Sequence, residues 1–553
     1  MTILLEQAYT DRAETKELTD KVVEIAYDSV VSTMGPNGNL VMIIEANQPV
    51  VTKDGVRVAR ALDFNDIRMN SIASLITSAA RKTDDMVGDG TTTTVMMTRN
   101  LYRTFGSELN FFSTRLIDGL VKETKEYLET LVRDVTPDSD EFVRMVYTTS
   151  NYQSDIADTV ISLFKEYSNP NVLLKRARGE VKDVIEASRK VKFGGRFPHG
   201  SLKPNTSRNA GEIQNAFCYA INGYVREIDP SICEAIIMGV MKQYKDGKKD
   251  YHHQNPDFIV LGREFDANVL DGFVQINQWL SQELKFNKVW VVPYNVSGGG
   301  TSGTEIMNDL CRVLGIPSYS DFKQLDKSGE AKFDVIKASG TFDISSIEID
   351  PSVEVEGRDV KQAIDDILLP ALDVYNGMNY TEKASPIGQI LFNRISTLRA
   401  ENITIYVSGL TDAEISERYY LYEDAVKVAA SSLRFGVLPG IGWGYTKAAN
   451  NLLRKYHELS LSDVKKDQVT WDIVRKFMKV LTAQYEHLTG EPWDFEDVNY
   501  FVDLVTGEQT LEPKNVFDNG SASIVALEGG WSVVKRLGNL SCIMGKSNTS
   551  YSL

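Results

Sequence analysis

"VGDGTTTTV", residues 87–95, sets an acid between two glycines and follows it with four consecutive threonines. Such a run suits a helix interior poorly, because threonine loses rotamer freedom there and its hydroxyl competes for the backbone. At a helix start the same residues are useful. The first-turn N–H groups lack intrahelical partners, and the hydroxyls add donors around them. The stretch therefore predicts a glycine turn entering a helix over "TTTTVMMTRNLYRTF", its positive end open to an anion.

Around it, residues 14–34 and 70–82 have helical periodicity, and so does 91–132, with a break in the 107–113 stretch. "NLVMIIEANQPVVTKDG" alternates apolar and polar residues in two runs joined by a turn, which predicts a hairpin. From about 190 the character changes. "FIVLG" (258–262) and "KVWVVPY" (288–294) are short apolar strands, each followed by a helical segment, the grammar of an α/β domain. After about 435 long helical patterns return, then a strand-like stretch near 494–512 and a final helix near 513–538. The two ends read as one helical layer around an α/β insert.

At 553 residues the chain exceeds one ordinary core, and about three domains are expected. Its 42% hydrophobic and 25% charged residues are those of a soluble globular protein. A formal charge of −16 without a basic stripe argues against a nucleic-acid partner, and no apolar run is long enough for a membrane partner. The start "MTILLEQAYTDRAETKELTD" lacks the form of a signal peptide. Cys218, Cys233, Cys311 and Cys542 are far apart with no CxxC pair, so neither zinc nor a disulfide framework is indicated, and a reducing cytoplasm is the expected compartment. The adjacent His252 and His253 in "DYHHQNPD" do not make a metal cluster.

Several glycine-rich turns compete for a phosphate role. "SGGGTSGTEIMNDL" (297–310) has the form of a phosphate loop but no Walker lysine, and reads equally as a connector. "VLPGIGWGY" (437–445) contains GxGxG without a clear preceding strand. "GKS" (545–547) is no Walker motif, because Leu540 stands where glycine is needed. In "STMGPNGN" (32–39), Gly35 and Gly38 flank a Pro–Asn turn and let backbone approach a phosphate, although an ordinary helix-ending turn looks the same.

The set is more specific than its members. "TMGPNG" (33–38), "TKDGVRVAR" (52–60) and "GDGTTTT" (88–94) occur in that order, and "YEDAV" (422–426) precedes "FGVLPGIGWGY" (435–445). This resembles the group I chaperonins, the GroEL-like sixty-kilodalton heat-shock family, whose segments read roughly "TLGPKG", "TKDGVSVAR", "GDGTTT" and "VEDAL". The resemblance is close over residues 15–135 and recognisable over 402–455. It implies the chaperonin fold, multidomain α+β: a mainly helical equatorial ATPase domain (1–135 and 435–553), a small intermediate hinge domain (136–189 and 402–434) and an α/β apical domain (190–401). Subunits would form a homo-oligomeric ring of seven. Single or double rings, and the need for a small lid co-chaperonin, stay open.

The resemblance also implies roles. Thr33, Met34, Gly35 and Pro36 would cradle the phosphates of ATP with Lys53, Gly90, Thr91, Thr92 and Thr93. Asp89 would hold Mg2+, with K+ as an accessory cation, since a carboxylate suits a hard ion that bridges phosphate oxygens. Asp54 would orient the attacking water or the metal shell, and Asp424 would be the catalytic aspartate, swung in by the intermediate domain to position the water. Gly440 and Glu512 would meet the nucleoside and ribose. Departures mark a divergent member, viral or otherwise specialised. Asn37 replaces the family lysine, Ile441 its middle glycine and Glu512 a shorter acid, the asparagine contact near 500–512 has no clear counterpart, and the tail reads "GKSNTSYSL" without Gly-Gly-Met.

For the non-native polypeptides such a chamber would fold, the nearest positions are Ile236, Ile237 and Val240 in "SICEAIIMGVM" and Leu270, Phe273 and Val274 in "DANVLDGFVQINQWL". Core packing explains these stripes equally well. The expected function is an ATP-dependent, cytoplasmic chaperonin subunit (in the host cytoplasm for a viral member). The alternative is a ring-forming scaffold that uses ATP weakly or not at all.

Overall fold

The computed structural model describes residues 10–35, 38–45, 48–167, 170–177, 182–202, 213–214, 216–228, 230–245, 258–284, 290–297, 300–320, 336–337, 341–342, 346–352, 354–355, 358–378, 382–383, 385–496, 499–502 and 507–544. The chain divides into two compact units, one of residues 1–168 and 409–553, the other of residues 169–408. The first unit therefore draws on both ends of the sequence.

Its N-terminal part begins with α1 (Arg12–Val31), started by Asp11, whose carboxylate accepts the Glu14 N–H at 2.9 Å. The expected hairpin follows as β1 (Val41–Glu45) and β2 (Gln48–Thr52), antiparallel, with Met42 opposite Val51. Then come the short α2 (Gly55–Arg60) and α3 (Ile67–Val87). α3 ends at Gly88, whose φ of 73° is the left-handed closure a helix favours glycine for. After one further left-handed glycine the threonine run opens α4 (Thr91–Phe105). The predicted break then separates it from α5 (Phe111–Leu131), which starts in a capping box of Asn110 and Ser113. Val22, Val30, Ile76, Val95, Met96 and Met97 are sealed where α1, α3 and α4 pack. Two helices, α6 (Asp140–Thr149) and α7 (Ser154–Glu166), complete this part.

Among the described residues, the second unit holds two larger sheets besides two pairs of two-residue strands. A small one has the order β3 (Asn171–Arg176), β11 (Asn402–Val407), β4 (Val184–Ser188). The other has nine strands. Its centre runs from β9 (Ser318–Tyr319) through β6 (Phe217–Ile221) and β7 (Phe258–Gly262) to β8 (Val291–Val296), all parallel. Beyond β8 lie β5 (Val191–Arg196) and β10 (Ser346–Ile349), both antiparallel to their neighbours. Alternate strand residues feed opposite faces. Val292 and Tyr294 pack with Met307 and Leu310 of α10 (Gly300–Leu314), and with Ile364 of α11 (Val360–Gly377). Val260 and Val291 pack against α8 (Pro230–Lys245) and α9 (Ala267–Leu284). The short α12 (Pro386–Leu398) pairs with α11 before the chain leaves this unit.

That second core corrects the expected client surface. Ile236, Val240 and Phe273 are 0% exposed, because they are the residues by which α8 and α9 grip the sheet. Ile237, Leu270 and Val274 are half-buried against the same cluster. Solvent meets other side chains of these helices, among them Met238 at 70% and Trp279 at 42% exposure.

The chain then re-enters the first unit as α13 (Asp412–Phe435), β12 (Val437–Pro439), α14 (Trp443–Ser460), α15 (Lys465–Thr489), β13 (Phe517–Asn519) and α16 (Ala522–Leu537). β12 pairs with β13, and α16 packs against α3 and α4. The final helix starts later than the pattern predicts, because residues 517–519 are spent on that strand pair. The segments expected as a hinge, 136–189 and 402–434, fall partly in each unit: α6, α7 and α13 in the first, β3, β4 and β11 in the second.

Candidate active site

Three sequence segments meet at backbone that has no room for a side chain. After α1, the N–H and Oγ1 of buried Thr33 both donate to Val30 O, at 3.2 and 2.8 Å. Gly35 then turns left-handed at φ 77°, Met34 N–H donates to Val31 O, and Asn39 N–H closes the turn on Ser32 O at 2.7 Å. A Cβ on Gly38 would lie 2.2 Å from Thr33 O and 2.9 Å from Cε of Lys53. A Cβ on Gly55 would lie 2.3 Å from Thr92 Oγ1 and 3.4 Å from Thr33 Oγ1. The turn after α1, the start of α2 and the start of α4 are thus in contact. Pro36, expected in this cradle, lies outside the described residues, as does Asn37.

The threonine run divides its labour. Thr94 Oγ1 donates back to Gly90 O at 2.9 Å and meets Thr83 Oγ1 at 2.9 Å, while Thr91 is buried with its hydroxyl towards Ala80 O. These two fasten the helix start to α3. Thr92 and Thr93 are half-exposed on the other side. Gly90, at φ 89°, precedes the first turn, and no side chain caps it. The first-turn N–H groups and two hydroxyls remain for an anion, and the Thr91 hydroxyl does not.

Acids surround this anion site. Asp89 keeps an open face to solvent and accepts the Gly90 N–H at 2.5 Å. Asp54 accepts from Val56 N–H at 2.8 Å and Arg57 N–H at 3.2 Å, so its carboxylate also caps α2. Asp424 projects from α13, and Asp84, 2% exposed, lies near the end of α3. Asp518 on β13 stands 3.3 Å from where a Gly440 Cβ would be. Desolvation raises the carboxyl of Asp54, with Asp84 adding to it, and raises Asp89 in the same way. It lifts Asp424 well above the ordinary range, assisted by the neighbouring Asp54, and with repulsion from Asp89 it pushes Asp518 up to about 7. Four carboxyls made harder to ionise around one cleft mark a place short of positive charge.

A divalent cation fits that shortage. Among the described residues no three His, Cys, Asp or Glu side chains converge to hold a metal by themselves. Mg2+ does not require it, since it takes one or two carboxylates and completes its shell with water and phosphate oxygens.

The glycine-rich segment 440–442 lies beside Asp518, and it is preceded by a strand after all, β12. Ile441 adopts φ 59° and buries its side chain among Trp443, Tyr485, Trp493 and Phe501. Glu512 is ion-paired at 2.5 Å with Arg133, so the expected ribose acceptor is already engaged. Sequence reasoning missed Asp84, Lys427 and Asp518. Asp84 was signalled by its place four residues before Gly88, whose N–H bonds Asp84 O at 2.6 Å.

The profile of the TCP-1/cpn60 chaperonin family matches residues 27–166. The hydrogenosomal chaperonin HSP60 of Trichomonas vaginalis is 24% identical over 441 residues, 77% of this chain and 86% of that protein. Mitochondrial heat shock protein 60 of Candida albicans is 21% identical over 520 residues, 90% of this chain and 87% of that protein. Among solved structures, the chaperonin gp146 from the bacteriophage EL 2 (Pseudomonas aeruginosa), crystallised in the presence of ATP-BeFx, superposes with a TM-score of 0.80 at 26% identity. It covers 98% of this chain and 99% of its own.

Proposed function

We propose that the chain is a divergent group I chaperonin, which hydrolyses ATP as one subunit of a ring that takes up non-native polypeptides. The observation that carries the ATPase reading is the meeting of residues 33–35 and 38 with 53–55 and 90–93 at Gly38 and Gly55, with Asp89 beside it. The phage chaperonin crystallised with ATP-BeFx supports it. N–H groups of Thr91–Thr93, the hydroxyls of Thr92 and Thr93, and the Lys53 ammonium would hold the phosphates, the Gly90 N–H being given to Asp89. Asp89 would hold Mg2+, which supplies charge neutralisation, and K+ would be an accessory cation. Asp424 would orient the attacking water and accept its proton, a task its raised pKa suits. Positioning of this kind is most of what phosphoryl transfer asks of a protein.

Client capture would use exposed side chains of α8 and α9, with Met238 and Trp279 as anchors and Ile237, Leu270 and Val274 at their margin. The net charge of −16 would give the chamber of a seven-membered cytoplasmic ring an acidic wall that does not retain folding chains. One observation favours the scaffold alternative: both Asp54 oxygens already serve the α2 cap. Mg-ATP turnover by the purified full chain, with electron-microscope views of the particle, decides. The expected result is turnover that Asp424→Ala slows about 100-fold with nucleotide binding kept. Asp89→Ala is expected to weaken Mg-dependent binding instead. Rings without wild-type turnover would establish the scaffold.

A further inference from the structure

The face of α13 that carries Asp424 is fastened on both sides of that residue. Tyr420, Asp424 and Lys427 stand at i, i+4 and i+7, one stripe of the helix. One turn before Asp424, the Tyr420 ring lies under the Arg57 guanidinium, 5.0 Å from its centroid. Arg57 belongs to α2, the helix Asp54 caps. One turn after Asp424, Lys427 Nζ reaches Asp84 Oδ2 at 3.4 Å, sharing its charge with Glu423 of its own helix at 3.2 Å. The helix backbone is close as well. A Cβ on Gly88, the residue before Asp89, would lie 2.5 Å from Lys427 Cβ and 3.2 Å from its carbonyl carbon. Arg418 ties the helix to Asp155 of α7 at 2.7 Å.

We propose that Lys427 and Tyr420 are positioning residues, which through Asp84 and Arg57 hold α13 against the nucleotide cleft so that Asp424 faces it. Two attachments separated by two turns stop the helix from sliding along its axis or rotating about it, which one attachment cannot do. The Asp84 end is strong because that carboxylate is 2% exposed, so its attraction for Lys427 is little screened by solvent. Arg60, at 3.7 Å, is its other cation and sits on α2, so it does not replace the tie to α13. The lysine charge also works on Asp424 itself, opposing the push of Asp54 and Asp84 against ionisation.

The kinetic half of the test rests on the ATPase reading above. Lys427→Met is expected to lower kcat about tenfold and leave KM for ATP within about twofold, since the loss lies in the transition state. Lys427→Arg should restore most of the rate, and Tyr420→Leu should lower kcat alone by severalfold. In an Asp424→Ala background, Lys427→Met should cost nothing further, because it acts through a group already gone. The second half needs no turnover. Amide exchange across residues 420–428 of the full chain should speed about tenfold in Lys427→Met and in Tyr420→Leu. Additive rate losses, a raised KM at unchanged kcat, or unchanged exchange in both variants would overturn the proposal. A wild-type chain that turns over no ATP would sink the ATPase reading, and exchange would still decide whether the attachments hold α13.

Discussion

Ile441 holds φ at 59°, a region where a β-branched residue is strained by about 1–3 kcal/mol, and the family resemblance expects glycine there. The strain is offset by burial, for the side chain is 3% exposed among Trp443, Tyr485, Trp493 and Phe501. Removing a buried isoleucine side chain costs about 2–5 kcal/mol. Ile441→Gly is therefore expected to lower Tm by a few degrees although it relieves the backbone, and calorimetry of the nucleotide-free chain checks this. A raised Tm would mean that the cluster returns less than the strain takes. Asp518, five residues beyond Pro513, belongs to the same region and gives a second forecast. Its carboxyl titrates near 7 when folded against an ordinary 3.8, so the stability it lends is present below about pH 4 and lost as pH rises through 7. Asp518→Asn should then match wild type near pH 3.5, below the onset of that loss. Near pH 8, without nucleotide, it should be the more stable by on the order of 2 kcal/mol, discounted for partial exposure. Tm at the two pH values measures it, and an equal offset at both would remove Asp518 from the pH response.

At the scale of elements, the proposed nucleotide cradle is a contact between helix ends, and glycine is what lets them touch. Gly38→Ala would drive a Cβ to 2.2 Å from Thr33 O, a backbone atom that cannot swing aside as a side chain could. The turn must open, and nucleotide affinity should fall at least tenfold while the melting of the chain changes by only a few degrees, because the turn is at the surface. Calorimetric titration with Mg-ATP reads the first and thermal unfolding the second; unchanged affinity would move the phosphates elsewhere. Much of this level was legible in the sequence. The hairpin, the break between α4 and α5, and the helix starting at Thr91 follow from local periodicity and capping, which act within a few residues. What stayed hidden depends on residues far apart in sequence. Thr91 could not be assigned inward and Thr92 outward without α3 in place. The ion pair of Asp84 with Lys427 spans 343 positions, and a lone lysine one turn after a recognised acid gives no local signal. On α8 and α9 the apolar stripes read as either core or client surface, and only the sheet beneath them resolves Ile236, Val240 and Phe273 as core.

For the whole molecule, ring formation needs a surface that one subunit leaves uncovered. The β1–β2 hairpin offers one. Leu40, Met42, Ile44 and Val51 are 69%, 65%, 75% and 53% exposed, while Ile43 points the other way and is buried. Met42 lies opposite Val51 and Ile44 opposite Pro49, so these side chains form one apolar face. A two-stranded hairpin is marginal by itself, and a contiguous apolar patch of this kind marks a surface that another chain covers. A neighbouring subunit in the proposed ring is the cover that satisfies both statements. Met42→Ser with Ile44→Ser should leave the subunit folded, since neither side chain contributes to its core. The loss of about 3–6 kcal/mol per subunit contact should weaken association by about 10²–10⁴-fold. Sedimentation velocity on the double variant is expected to show monomers where the wild type sediments as a ring, with circular dichroism unchanged. Intact rings in the variant would place the subunit contact on another face. Unfolded monomers would show instead that the hairpin face is covered within its own chain.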